Sequence, residues 1–304
     1  MDRIMLGGML SVPQVAMGCM RLDGAKVSPD RVIGTALDIG IDFFDHADIY
    51  GGGRCEEIFG KYLAKNPSLR EKITIQTKCG IRRDCYDFSK EHILSSVEGS
   101  LKRLRTDHID VLLLHRPDSL MEPEEVAEAF EKLYTSGKVR FFGVSNHNPM
   151  QIELLKTAVK QPIVANQLQF SITESGMITS GLNVNMKNSE SVMHDGSALE
   201  YHRIKGITIQ TWSPFQSGFF EGPFVGNREK YPKLNDTLDA MSEKYGVSPI
   251  GIAAAWILRH PAKMQLISGS VNPDRIKAIA DGANITLSRE DWYTIYLSAG
   301  YRLP

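Results

Sequence analysis

Short apolar runs and longer amphipathic stretches take turns along this chain from end to end. Eight runs are too short for a helix: Gln14–Met17, Ile41–Phe44, Ile73–Thr77, Ile109–Leu114, Val139–Val144, Val164–Leu168, Ile207–Thr211 and Met264–Ile267. Several are rich in Ile and Val, which suits strands. The stretches between them carry helix-end signals. Ser28-Pro29 reads as an N-cap followed by proline at the first helical position, and Gly40 ends that helix. Glu56–Ala64 is the second helix, and Ser89 opens a third that runs through Leu104. Glu122-Pro123 opens the fourth, closed by Gly137, and Asn148-Pro149 opens the fifth. Ser197–Lys205 and Lys233–Tyr245 give the sixth and seventh, closed by Gly206 and Gly246, and Asn272-Pro273 opens the eighth.

Strict β/α alternation of this kind predicts an α/β fold, a (β/α)8 TIM barrel, in preference to a doubly wound sheet. The doubly wound alternative usually carries a Gly-x-Gly-x-x-Gly turn after an early strand. Gly51-Gly52-Gly53 has another spacing, follows the second strand, and reads as a flexible connection. Ile4–Leu6 and Leu10–Val12, joined across Gly7-Gly8, predict an N-terminal β-hairpin plugging the barrel bottom. Ser248–Arg259 and Ser288–Ser298 fall outside the alternation and read as extra peripheral helices. Ser171–Gly196, rich in Ser, Asn and Gly, is an irregular stretch of a length usually given to lids or disordered segments.

The chain has 304 residues, which a single barrel domain spanning 1–304 can accommodate. Hydrophobic residues make up 42% and charged residues 23%, ordinary for a globular enzyme. The formal net charge of −1 gives no general pull toward nucleic acid or membrane surfaces. No apolar run approaches the roughly 20 residues of a membrane span, and the first residues are too briefly apolar for a secretory signal. Cys19, Cys55, Cys79 and Cys85 include no Cys-x-x-Cys pair. They read as reduced thiols of a cytoplasmic protein.

In a barrel the chemistry sits at the C-terminal ends of the strands. Asp45, His46, Asp48 and Tyr50 follow the second run, and Lys78 ends the third. His115 and Arg116 end the fourth, Ser145-Asn146-His147 the fifth, and Asn166-Gln167 lie in the sixth. Trp212-Ser213 end the seventh, and Ser268-Gly269-Ser270 follow the eighth. Singly, each has a bland reading: a cap, a packing aromatic, a core histidine. Projected into one mouth, they make a proton-donating site. A phenol with a free pKa of about 10 is a poor acid at neutral pH. The Lys78 ammonium would lower the Tyr50 value, Asp45 would hold that ammonium, and His115 would donate to a substrate oxygen. Reduction of a carbonyl there lacks only a hydride, which no side chain provides, so a nicotinamide cofactor is implied.

Quoted in order, these motifs resemble the aldo-keto reductase family. Gly40-Ile-Asp-Phe-Phe-Asp-His-Ala-Asp-Ile-Tyr50-Gly resembles its signature around a catalytic Asp and Tyr. Ile-Thr-Ile-Gln-Thr-Lys78 and Asp-His-Ile-Asp-Val-Leu-Leu-Leu-His115 resemble the strands of its catalytic Lys and His. The resemblance makes Tyr50, Asp45, Lys78 and His115 catalytic. It implies that Ser145, Asn146 and Gln167 hold the nicotinamide carboxamide, with Trp212 stacking on the ring. Ser213, Pro214, Phe215, Gly218 and Phe219 belong to a loop over the pyrophosphate, and Met20 and Asp45 also face the cofactor. Ser270 and Arg275 would bind the adenosine 2′-phosphate, helped by free N–H groups of the helix opened by Asn272-Pro273. Two positions depart from the pattern: Gly269 stands where many members have Lys, and Ile279 where many have Asn.

The resemblance therefore implies NADPH/NADP+ as cofactor, with NADH as the alternative, no metal, and a small-molecule carbonyl substrate. Other readings are a non-catalytic cofactor-binding regulatory subunit on the same fold, a Lys78 Schiff-base aldolase, and a metal hydrolase built on Asp45, His46, Asp48 and His115. The physiological substrate, reaction direction and oligomeric state are not legible in the sequence.

Overall fold

The computed structural model describes residues 1–83, 85–182, 197–218 and 221–302. Strands β1 (Arg3–Leu6) and β2 (Leu10–Pro13) pair antiparallel, with Ile4 opposite Val12. The remaining strands are β3 (Val15–Gly18), β4 (Phe43–Asp45), β5 (Thr74–Cys79), β6 (Ile109–Leu114), β7 (Val139–Ser145), β8 (Ile163–Gln169), β9 (Thr208–Trp212) and β10 (Gln265–Ser268). They close a parallel barrel in chain order, with β10 pairing back onto β3. Each matches one of the eight apolar runs to within two residues at either end.

The helices are α1 (Pro29–Asp38), α2 (Arg54–Lys65), α3 (Lys90–Leu104), α4 (Pro123–Thr135), α5 (Pro149–Leu155), α6 (Gly176–Leu182), α7 (Ala198–Lys205), α8 (Pro232–Tyr245), α9 (Pro249–Leu258), α10 (Pro273–Gly282) and α11 (Arg289–Ser298). Their starts follow the expected chemistry. Ser28 accepts from the Arg31 N–H and Ser89 from the His92 N–H, and Asn148 with Gln151 forms a capping box. Among the described residues no helix is long and apolar enough to cross a membrane.

The hairpin buries Ile4, Leu6 and Val12 against Ala16, Phe43, Val111, Leu113, Val164 and Ala165 inside the barrel. The Gly7 N–H also donates to Thr208 Oγ1 at the start of β9. The barrel is therefore floored at its N-terminal end, as expected, and open to chemistry only at the other.

Which helix is peripheral differs from the sequence reading. Every residue from Gly251 to Ile257 of α9 is buried, and α9 packs on β10, α10 and α8. Apolar on all sides, it is a wall helix of the barrel rather than a decoration. The amphipathic α8 is the outer one, packed on α9 and α11. Trp256 and Trp292 stack at 4.7 Å, and each indole N–H donates to the other's carbonyl, so α11 is fastened to that wall. The Ser171–Gly196 stretch contains the unforeseen helix α6; its residues 183–196 lie outside those described.

Candidate active site

Alternation along β5 decides the site. Lys78 and Gln76 share the inward face, while Thr77 points outward and donates to Glu56 of α2 at 2.6 Å. Lys78 is completely buried, and each of its three ammonium protons has an acceptor. Nζ lies 2.8 Å from both oxygens of Asp45 and hydrogen-bonds Oδ2; it also donates to the His46 carbonyl at 2.7 Å and to Tyr50 Oη at 3.0 Å. The Tyr50 oxygen thus accepts from Lys78 and keeps its own proton to give elsewhere.

Asp45 is the last residue of β4, and Tyr50 opens the kinked turn Tyr50–Gly53 that leads into α2. Gly51, Gly52 and Gly53 all have positive φ, at 58°, 65° and 92°. A Cβ on Gly51 would meet Asp23 Oδ2 at 2.5 Å, and one on Gly53 would meet Arg103 Cδ at 2.9 Å. The triple glycine is therefore a packed left-handed turn that aims Tyr50, not the loose connection its composition suggested.

His115 follows β6 and meets the Tyr50 ring edge-on at 5.9 Å. Burial, then the charges of Lys78 and Arg116, hold its pKa well below the usual histidine value, so the ring is a neutral donor. Its Nδ1 is buried without a hydrogen-bond partner among the described residues.

The expected lowering of the Tyr50 pKa is not the net result. Lys78 does pull it down, but burial is the larger effect and Asp45 adds to it, leaving the phenol above its ordinary value. Tyr50 is a protonated group held in place by an ammonium, not a phenolate. For Lys78 burial opposes the charge, yet Asp45 and Tyr50 together raise its pKa, so it stays an ammonium.

Beside this group lie the other predicted residues. Ser145 Oγ donates to the Gln167 carbonyl at 3.0 Å and accepts from Asn146 Nδ2 at 2.7 Å. Trp212 Nε1 donates to Asn146 Oδ1 at 3.1 Å, and the Arg116 guanidinium lies over the indole at 5.5 Å. Asn146 and Ser213 both hold positive φ, 60° and 49°, without being glycine, a strain common at binding sites. Met20 is exposed just beyond β3. Ser213, Pro214, Phe215 and Gly218 form the loop after β9, whereas Phe219 lies outside the described residues.

At β10 one expectation changes. Asn272 Oδ1 already accepts the N–H groups of Asp274 and Arg275, and Pro273 has none. The start of α10 thus offers an anion fewer free N–H groups than its sequence implied, leaving the side chains of Ser270 and Arg275. A Cβ on Gly269 would meet nothing within 4 Å.

His46 takes no part in the mouth. It is fully buried, edge-on to Phe59 at 4.7 Å, with neither ring nitrogen hydrogen-bonded among the described residues, and burial, with the Lys78 charge, lowers its pKa to about 3. Sequence reasoning missed the glutamines beneath the site. Gln76 Nε2 donates to Asp45 Oδ1 at 2.6 Å, and Gln76 and Gln210 exchange hydrogen bonds at 2.9 Å. Their even spacing from Lys78 and Trp212 was the available signal.

Comparison with known proteins follows the same lines. A family model described as Aldo/keto reductase family matches residues 14–296. The chain is 38% identical over the whole of both chains to the uncharacterized oxidoreductase YcsN of Bacillus subtilis. It is 36% identical to a 6-dehydroglucose reductase of Agrobacterium fabrum, covering 98% of each. It also resembles the crystal structure of an aldo/keto reductase from Brucella melitensis, with a TM-score of 0.72 and 25% identity over 98% of this chain and 99% of that one.

Proposed function

Because the chain belongs to the aldo/keto reductase family of oxidoreductases acting on carbonyl and alcohol groups, we propose that it reduces an aldehyde or ketone with NADPH, Tyr50 giving the proton. The observation that carries this reading is the placement of Lys78, whose ammonium is shared between Asp45 and Tyr50 Oη.

The donor set fits a nicotinamide. Ser145 and Asn146 bring a hydroxyl and an amide to one edge of the mouth with Trp212 half-buried beside Asn146, and Gln167 lies buried below them with its Nε2 bonded to Asp45 and Gln210 and its Oε1 left to accept. They would hold the carboxamide and ring; Ser270 and Arg275 would take the 2′-phosphate. When bound, the cofactor supplies a hydride to the carbonyl carbon and leaves oxidised. The rest falls to this chain. His115 and Tyr50 donate to the carbonyl oxygen and polarise it. As negative charge develops there, the Tyr50 proton passes to the oxygen, giving the alcohol. Lys78 already donates to Tyr50 Oη, so it stabilises the phenolate left behind until solvent restores the proton.

NADPH oxidation by purified protein with 4-nitrobenzaldehyde, and with 6-dehydroglucose after the Agrobacterium relative, tests the reading. Tyr50→Phe should lower kcat by at least about 1,000-fold, a loss comparable to removing an acid and an oxyanion donor together, while NADPH binding persists. Full turnover in Tyr50→Phe would remove Tyr50 from the role. Tight NADPH binding by the wild type with no turnover on any carbonyl would point instead to a regulatory subunit.

A further inference from the structure

Four buried glutamines cross the barrel interior directly beneath the site. Gln76 (β5), Gln167 (β8), Gln210 (β9) and Gln265 (β10) are each at most 3% exposed. Their amides form one connected chain. Gln265 Nε2 donates to the Pro13 carbonyl at the end of the floor hairpin, at 2.9 Å. Gln265 Oε1 accepts from Gln210 Nε2 at 2.8 Å. Gln210 and Gln76 are joined in both directions at 2.9 Å. The chain ends on Asp45 Oδ1, which accepts from Gln76 Nε2 at 2.6 Å and from Gln167 Nε2 at 3.1 Å. A barrel interior is ordinarily filled with branched apolar side chains. Amides are tolerated there only if satisfied, and a satisfied network fixes the orientation of what it touches.

We propose that Gln76 is a positioning residue for carbonyl reduction: it orients the Asp45 carboxylate, and through it the Lys78 ammonium that holds Tyr50. The argument rests on Tyr50 being the acid. Among the described residues the Asp45 carboxylate has no hydrogen bond to Tyr50 Oη; its partners are Lys78, Gln76 and Gln167. Held only by Lys78 and by the longer 3.1 Å bond from Gln167, the carboxylate could tilt about its side-chain torsion and draw Nζ off the phenol. Gln76 prevents this by pinning Oδ1, and Gln210 and Gln265 prevent Gln76 from following. Gln76 also disperses part of the Asp45 charge. Without it the carboxylate acts more strongly on its neighbours, in the direction that raises the Tyr50 pKa further.

The test compares the pH profile of kcat for wild type, Gln76→Met, Gln76→Glu and Tyr50→Phe, with NADPH affinity from quenching of protein fluorescence. Gln76→Met keeps the side-chain length but removes the amide. Its kcat should fall about tenfold, the usual effect of losing a hydrogen bond to a charged group. The basic limb of its profile should move upward by about half a pH unit or more, with NADPH affinity within about twofold of wild type.

Gln76→Glu keeps the shape if Gln76→Met does not fold. Protonated, the new carboxyl can donate to Asp45; ionised, it cannot, and two adjacent carboxylates resist ionising together. Its activity should approach wild type at low pH and fall on a new limb as pH rises, while the protein stays folded by circular dichroism across that range. If Tyr50→Phe is inactive but the Gln76 variants match wild type in kcat and profile, the positioning role is wrong and the acid stands. If Tyr50→Phe is active, the underlying reading has failed instead.

Discussion

Asp48 makes the stability of this protein depend on pH in a direction opposite to most carboxylates. It lies two residues before Tyr50, with its N–H bonded to the Lys78 carbonyl at 3.0 Å. It is largely buried, its Oδ1 has no hydrogen-bond partner among the described residues, and Glu56 is close behind it. The Glu56 charge is already claimed by Arg103 at 2.7 Å and Thr77 at 2.6 Å. Burial first, and the Glu56 charge second, raise the Asp48 pKa to about 7, against a partial pull downward from Ser96 and Arg103. An unfolded aspartate titrates near about 3.9. The folded state therefore binds this proton more tightly, and the associated stability is full below about pH 4 and lost as pH rises through about 7. At 1.36 kcal/mol for each pH unit between the two values, the ceiling is about 4 kcal/mol. For a two-state chain of this length that is a Tm change of roughly 6 °C. Asp48→Asn keeps the shape and removes the titration. Calorimetry from pH 5 to pH 8 should show the wild-type Tm falling several degrees more than that of the variant. Parallel curves would refute the assignment of a neutral, buried Asp48.

Three further substitutions have outcomes that follow from the structure. Arg275→Ala should raise KM for NADPH about tenfold or more and leave NADH unchanged, since only the former carries the 2′-phosphate. Gly269→Lys, at a position with open space, should lower KM for NADPH about threefold; equal effects on both cofactors would remove these residues from phosphate binding. Gly143→Ala would put a Cβ 2.6 Å from Leu113 Cδ2 and 2.7 Å from the Ala165 carbonyl on the next strand. The backbone oxygen cannot yield, so urea unfolding should show a loss of about 2 kcal/mol or more, and an unchanged midpoint would contradict the packing.

The barrel was legible because its strands are buried short runs, each followed by a helix marked by a capping residue, proline or glycine. Hairpin, caps and strands all follow from local chemistry. The ranking of α8 and α9 did not follow from counting β/α units. Pro249-Ile-Gly-Ile-Ala-Ala-Ala-Trp-Ile-Leu258 is apolar on every side, and that property, rather than its place in the alternation, marks a buried helix. The four residues proposed as catalytic were visible as polar residues at or just after strand ends. Gln76, Gln210 and Gln265 were not, because even spacing can place an amide on the inward face but does not show which partner it meets across the barrel. Gln76 and Gln210 are 134 residues apart in the chain and meet only when the barrel closes.

That closure also alters what the lysine is for. From the sequence, Lys78 reads as a charge that weakens the O–H bond of Tyr50. In the folded site its positive charge is countered by Asp45, His115 is neutral, and burial keeps the phenol protonated. The four groups together carry no net formal charge, so a carbonyl entering among them meets donors without an uncompensated anion. Such a site does little to a resting substrate. In the proposed reaction its preference would appear only as the carbonyl oxygen becomes negative: two oriented donors would then act in a poorly solvated place, and Lys78 is already bonded to the oxygen that would carry the charge once the proton has left. In the proposed reaction Lys78 would thus stabilise the deprotonated Tyr50 left when the proton passes to the carbonyl oxygen, with Asp45 holding the ammonium in place.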